Sequence, residues 1–536
     1  VKHSLETAGT GIAAGATTLA DEVTGRQISQ LGDARRDTSR GFREAARRVE
    51  ENARIVGGDV NRVLGTTGVS AVVLARIITN PDQFRRLVEL IETHDFPGLL
   101  RALQRGADFP PDFFPKWIRR AGGYFPKFAQ VLAVRGDLIH SREVLEQFGR
   151  CLEDMPPRPV EAVRHHLQQL GWDSAVCAGV GDALNAGTVA QVNTLNMPDG
   201  SAVVVKVAWP DTKRQMQTDF RLFSHARDIL NALRLEDENA KAVGALFSAV
   251  GKNEAAVMRE FDMQAEAGSL RIAGDLCRND WSDAYRTWCS EVDSALAGVP
   301  PPIALLARHF VTQSSAWNTR VPEPLDGYCC ESALAMSCAG GVSLHRLMCG
   351  GGGEQQEAAQ VLTGLAVPFI GWLLLCKSSS HLAHVDPHPG NFRWDAGSHT
   401  LWVLDWGSNV TLSNERRHAL CLLITLIAEG ADDETIGDTA RAFGIQVTST
   451  SHLAALMRGM LNATQHRGAQ DVINDAAIDH ILDNVGDDVV PVVRCLATLG
   501  GILKTLQQKI RDEHSQNVPL SLASLWRPFA VMGLSS

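Results

Sequence analysis

The chain has 536 residues, of which 45% are hydrophobic and 21% charged. That usage is close to the globular average and excludes collagen-like, wholly disordered and polytopic membrane classes, while the length predicts a two-lobed, enzyme-sized unit with an extension. A formal net charge of -10 argues against nucleic acid as a partner, because counterion release needs a dense Lys/Arg face. Eleven scattered cysteines, none in a C-x-x-C pair, read as reduced thiols in a cytosolic or organelle-matrix setting, with no zinc site implied.

Residues 1–79 read as a leader, mobile or membrane-proximal. Its Arg-rich stretch 34–54 is interspersed with acids, and GVSAVVLARII at 68–78 would suit a membrane interface. The chain opens on Val rather than Met, which leaves a trimmed N-terminus and a missing targeting signal open. From 80 to 175 apolar residues such as Phe84, Leu87, Leu90 and Ile91, then Val160, Val163, Leu167 and Leu170, recur at helical spacing and predict a helical extension.

Between 176 and 210 a Gly/Ala loop leads to the strand AQVNTL, the turn MPDG and the strand SAVVVKVAW, a hairpin with Lys206 on its second strand. Helical spacing returns over 211–276, and 321–337 reads as short strands. The stretch 176–340 is therefore predicted to be a small β-rich lobe with an insertion at 274–320. Residues 341–536 read as a large helical lobe. Its glycine run at 350–353 is expected to be a flexible surface loop, and LTGLAVPFIGWLLLC at 362–376 a buried helix, too short and Pro-broken to span a bilayer.

The strongest pattern is HVDPHPGN at 384–391 followed by LWVLDWG at 401–407. Phosphoryl transfer needs a carboxylate near the acceptor and hard oxygen donors for a Mg²⁺ that bridges the phosphates. In a protein-kinase catalytic loop, Asp stands two residues after His and Asn five after that Asp; His384, Asp386 and Asn391 reproduce both spacings. A short apolar strand then delivers Asp405 ahead of Trp406 and Gly407, where kinases carry Asp-Phe-Gly. Lys206 fits the phosphate-pairing lysine, and of Glu260, Asp262 and Glu266, Glu266 is the choice for its ion pair. Reading His384, His388 and Asp386 as metal ligands is weaker, because a Pro-broken loop makes a poor chelating face.

These residues resemble the UbiB/ADCK family of atypical kinases, whose catalytic loop typically reads HxDPHPGN. YFPKFAQVLAVRGDLI at 124–139 is similar to that family's KxGQ helix, which places Lys127, Gln130, Arg135 and Asp137 on its positions, with Ala129 in place of Gly. NAGTVAQVN at 185–193 is similar to the family's Ala-rich nucleotide loop, assigning nucleotide contacts to Ala186, Gly187, Thr188, Val189 and Ala190, and Gln191 fits the same pattern. Glu260 and Asp262 match a Glu-x-Asp element that the resemblance pairs with Lys127. Ser269 departs from a common Asn, and AMSCAGG at 335–341 from the usual acidic hinge.

The resemblance implies an α+β, protein-kinase-like two-lobed fold with an N-terminal helical extension. It also implies an atypical kinase or ATPase that uses ATP and Mg²⁺, with Asp386, Lys206 and Glu266 catalytic and Asn391 and Asp405 on the metal. By the same route it implies support of ubiquinone (coenzyme Q) biosynthesis or lipid homeostasis, with biosynthesis proteins and an anionic membrane surface as partners. In a eukaryote the place is the matrix side of the mitochondrial inner membrane. A phosphotransferase acting on a protein or small molecule, and a pseudokinase scaffold without turnover, are the alternatives.

Overall fold

The structure is a computed structural model that describes residues 77, 80–86, 116, 118, 120–133, 155–233, 250–251, 254–296, 317–376, 382–445, 449–461, 486, 488–514 and 521–535. Arg135, Asp137, the side chain of Gln130 and nearly all of the expected leader lie outside the described residues. The chain groups into two compact units: Val1–Met155 with Gly187–Val189 and Trp209–Met258, and Pro156–Ala186 with Ala190–Ala208 and Arg259–Ser536.

In the first unit, helix α1 (Phe125–Ala133) and helix α2 (Pro210–Leu233) are joined by charge and by aromatic packing. The buried Arg86 guanidinium donates to both carboxylate oxygens of Asp219 on α2, at 2.7 and 3.2 Å, and to the Ala121 carbonyl at 2.6 Å. Asp219 also accepts the Tyr124 N–H at 2.8 Å, so the start of α1 is fixed to α2 through one carboxylate. Tyr124 packs tilted against Phe220 and edge-on to Phe223 of α2, and Phe128 packs tilted against Phe223.

The second unit carries the kinase-like α+β architecture. Strands β1 (Val180–Ala186), β2 (Ala190–Asn196) and β3 (Ala202–Ala208) open it. After helix α3 (Met263–Leu276), helix α4 (Ser282–Leu296) and strand β4 (Asn318–Arg320) come β5 (Pro324–Cys330) and β6 (Ala333–Ser337). The first sheet is antiparallel in the order β1-β2-β3-β6-β5. β3 is central, and its Val203–Val207 run is buried apart from the half-buried Lys206, as a strand covered on both faces requires.

β1 falls where the sequence reads as a loop. VGDALNA has no apolar alternation, and it pairs as an edge strand whose register is interrupted twice along β2. On β2, the buried Gln191 does not serve the adjoining turn: its amide bonds the N–H and C=O of Arg158 at 2.8 and 3.1 Å and ties the Pro156–Arg158 segment down.

The chain leaves β6 through residues 338–341 and enters β7 (Val342–Ser343). Gly341 has φ +73°, and a Cβ there would meet the Trp394 carbonyl at 2.0 Å, so only glycine fits this crossing. The glycine run 350–353 differs from its expected loop: Gly352 and Gly353 form the first turn of helix α5 (Gly352–Val361), and Glu354 accepts the Gly351 N–H at 3.0 Å.

Helix α6 (Val367–Leu375) is buried at every position. Together with α5 and the π-helical turn Leu362–Ala366 between them it forms the one run among the described residues, Gly352–Leu375, long and apolar enough to cross a membrane; 83% of its apolar window lies inside the protein, as a core helix does. Pro368 has no N–H to offer the Gly364 carbonyl one turn back, and the buried Tyr285 hydroxyl of α4 donates to it instead at 2.7 Å. At the other end the buried Arg417 of helix α7 (Asn414–Glu429) donates to the carbonyls of Leu373, Leu374 and Cys376, closing a helix end that water cannot reach. Gly371 lets Trp526 of helix α8 (Leu522–Ser535) lie flush, with its indole N–H on the Val367 carbonyl at 2.8 Å.

Candidate active site

Lys206 stands in the middle of β3, opposite Val192 and Leu334. Its ammonium donates to both carboxylate oxygens of Glu266 at 2.8 Å and to Asp405 at 2.9 Å. The Glu266 side chain is 2% exposed, that of Lys206 14% and that of Asp405 47%. Burial opposes the ammonium charge, but the Asp405 and Glu266 carboxylates outweigh it and hold Lys206 well above its ordinary value. Burial, helped by the charges of Asp405 and Glu260, pushes the Glu266 carboxyl up against the attraction of Lys206.

Glu266 reaches this position because α3 begins just before it. Asp262 is the N-cap, accepting the Ala265 N–H at 2.9 Å, and the Met263 N–H is anchored on the Glu331 carbonyl next to β6. Asp262 is therefore a capping residue of the helix that presents Glu266.

The catalytic-loop pattern follows strand β8 (Leu382–His384). His384 is fully buried; its Nδ1 accepts the Asp386 N–H at 3.3 Å and its Nε2 faces the Leu404 carbonyl at 3.0 Å. Both contacts are met by one neutral tautomer, with the proton on Nε2. The ring thus links Asp386 to the residue before Asp405.

Asn391 uses its amide N–H groups on the Asp386 carbonyl, at 3.0 Å, and on its carboxylate, at 3.2 Å. This leaves the amide oxygen as the atom Asn391 can offer to a cation. Strands β9 (Phe392–Asp395) and β10 (Thr400–Val403) then carry the chain out and back to Asp405, and the Leu404 N–H closes on the Asn391 carbonyl at 2.8 Å. Burial, and then the Asp386 charge, push up the thiol of Cys495.

Asp405 has φ +56°, in the left-handed region, a conformation the sequence did not signal. Trp406 behind it is fully buried, edge-on to His384 with centroids 5.1 Å apart, and its indole N–H bonds the Val403 carbonyl at 3.1 Å. The aromatic side chain thus acts as an anchor for a turn whose carboxylate faces outward.

Ala186 ends β1 and Ala190 begins β2; Gly187, Thr188 and Val189 make the turn between them and group with the first unit. Lys127 lies in α1 of that unit, with Gln130 one turn later, whereas Glu260 and Asp262 belong to the second. The carbonyls of Gly340 and Gly341 in the β6–β7 crossing both accept from Arg393 of β9, which sequence reasoning missed. Also missed was the bond from Asn409 to Ser269, which joins α3 to the Asp405 turn at 3.0 Å.

Residues 181–281 match the model of the ABC1 atypical kinase-like domain. Among curated proteins, the chain is 28% identical to a probable protein kinase UbiB of Marinobacter nauticus over 165 residues, 30% of this chain and 29% of the relative. It is 23% identical to the ABC1 family protein lscO of Purpureocillium lilacinum over 366 residues, covering 64% and 56%. It is also 20% identical to the mitochondrial atypical kinase COQ8B of Rattus norvegicus over 342 residues, covering 62% and 55%. These matches span between under a third and little more than half of the relatives' lengths. A solved complex of Rv3197 with erythromycin from Mycobacterium tuberculosis shows a looser likeness, with TM-score 0.43 and 16% identity over 83% of this chain and all of that one. The segment that holds Lys206 and Glu266 thus matches an ABC1 atypical kinase-like domain, and the chain is similar to UbiB and COQ8 atypical kinase-like proteins.

Proposed function

We propose that this protein binds Mg·ATP at Lys206, Asn391 and Asp405 and works as an atypical kinase or ATPase that supports ubiquinone biosynthesis or lipid homeostasis. The observation that carries the reading is the joint presentation of one ammonium, Lys206, and two outward oxygen donors, Asp405 and Asn391, on elements locked together through His384. Carboxylate and amide oxygens are the hard donors that Mg²⁺ takes, so the residues fit the ion. When bound, the ion would neutralise charge on the phosphates.

The chain's own residues supply the rest. Lys206 pairs with phosphate oxygens, and Glu266, buried beneath it, keeps the ammonium aimed. Asp386 is exposed and oriented by the Asn391 amide, so its carboxylate can align an acceptor hydroxyl or a water and hold its proton. The family resemblance assigns nucleotide contacts to residues 186–190, and the 338–341 crossing, which departs from the family's acidic hinge, would meet the base through backbone groups. The same reading places the protein with ubiquinone-biosynthesis partners at an anionic membrane, on the mitochondrial inner membrane in a eukaryote.

The test compares wild type with Asp405→Asn. Mg·ATP is expected to raise the thermal midpoint of the wild type and to be hydrolysed in the presence of anionic liposomes. The variant should lose Mg²⁺-dependent stabilisation and about a hundredfold or more of the hydrolysis rate. Stabilisation without turnover in the wild type would leave a scaffold, and no response to nucleotide would overturn the proposal.

A further inference from the structure

Asn409 belongs to none of the motifs that define the site, yet it touches the Asp405 turn, the helix that carries Glu266 and the strand that carries His384. It opens strand β11 (Asn409–Thr411), where it pairs with His384 of β8. Its side-chain amide donates to the Trp406 carbonyl at 2.6 Å and to the Ser269 hydroxyl at 3.0 Å. Ser269 is three residues beyond Glu266 on α3, and its own proton goes to the Ala265 carbonyl at 3.1 Å, so its oxygen is set to accept.

An amide NH₂ carries two protons in a fixed plane. One closes the Asp405–Gly407 turn, a local bond of a common kind. The second crosses 140 residues of sequence to the helix that carries Glu266, and turn closure does not call for it. The two carboxylates on either side of this link, Glu266 and Asp405, both lie within 2.9 Å of one ammonium. A shift of α3 against the turn would pull one of them off Lys206.

We propose that Asn409 is a positioning residue: its amide clamps α3 to the Asp405 turn and sets the spacing of Glu266 and Asp405 that Mg·nucleotide binding requires. The inference rests on the nucleotide reading above. Asn409 acts through Asp405 and Glu266 and does not itself touch the phosphates.

The test measures ATP affinity with Mg²⁺ and in EDTA, together with thermal midpoints, for wild type, Asn409→Ala, Asn409→Asp and Ser269→Ala. Both Asn409 variants, which remove the donor, should lose at least about tenfold in Mg²⁺-dependent affinity while binding in EDTA stays within about twofold. Ser269→Ala should fall in the same direction by less, and Ser269→Ala/Asn409→Ala should be no worse than Asn409→Ala alone, because one link is lost in each. Should Asn409→Ala fail to fold, Ser269→Ala must show the reduced Mg²⁺ dependence by itself. Wild-type Mg²⁺ dependence in the variants, or equal losses with and without Mg²⁺, would overturn the clamp while leaving the nucleotide reading intact. A wild type with no Mg²⁺-dependent binding would remove both.

Discussion

At Lys206 one ammonium serves two carboxylates, and the energetic cost of the arrangement falls on the partner that is buried, Glu266. Lys206→Met would leave that carboxylate 2% exposed and without its counter-charge, a loss of about 3–5 kcal/mol by the usual behaviour of broken buried pairs. Adding Glu266→Gln should restore part of it, and urea denaturation of the single and double variants reads the coupling. Because the folded protein raises the Lys206 value, the pair's contribution is complete below the ordinary lysine value of about 10.4 and is lost only as pH rises through the higher folded one. The difference in thermal midpoint between wild type and Lys206→Met is therefore expected to stay level from about pH 7 to about pH 10; a gap that closes across that range would contradict the raised value.

At the scale of elements, the buried helix α6 survives its proline because Tyr285 replaces the missing donor and Arg417 closes the far end. Tyr285→Phe keeps the ring and strands the Gly364 carbonyl, at a cost of about 1–3 kcal/mol. Gly371→Ala would drive a methyl into the Trp526 ring, 2.4 Å away, for about 1–3 kcal/mol of overpacking. Chemical denaturation checks both, and an unchanged midpoint in either would mean that the helix relaxes. Helices such as this one, the β2–β3 hairpin and the spacing of Asp386, Asn391 and Asp405 were legible in the sequence because each is set by neighbours within a few residues. Glu266 was legible for the same reason, as an acid at helical spacing. β1 was not, since an edge strand of VGDALNA shows no period, and neither was the Asn409–Ser269 link, whose partners meet only after the chain has folded.

For the molecule as a whole, thiol chemistry offers a map of what is inside. Burial pushes the thiols of Cys277, Cys376 and Cys421 up to about 12, whereas Cys338 and Cys349 are exposed. Native alkylation near pH 8 should label Cys338 and Cys349 and spare the other three, which react only on unfolding. Since Cys338 lies in the 338–341 crossing assigned to the base, Mg·ATP should slow its labelling by several-fold and leave Cys349 unchanged; mass spectrometry of the labelled peptides decides. Equal protection of the two would point to a global tightening instead.

The left-handed backbone at Asp405 also limits what inheritance can do with this position. Asparagine and glycine are the residues that adopt such a conformation with least strain, and both are one base change away from an aspartate codon. Either replacement would keep the turn, its buried Trp406 and the fold while deleting the charge offered to the metal. A lineage of this protein could therefore pass from nucleotide turnover to a folded, non-catalytic scaffold in a single mutational step, with Lys206 left to its pair with Glu266 alone.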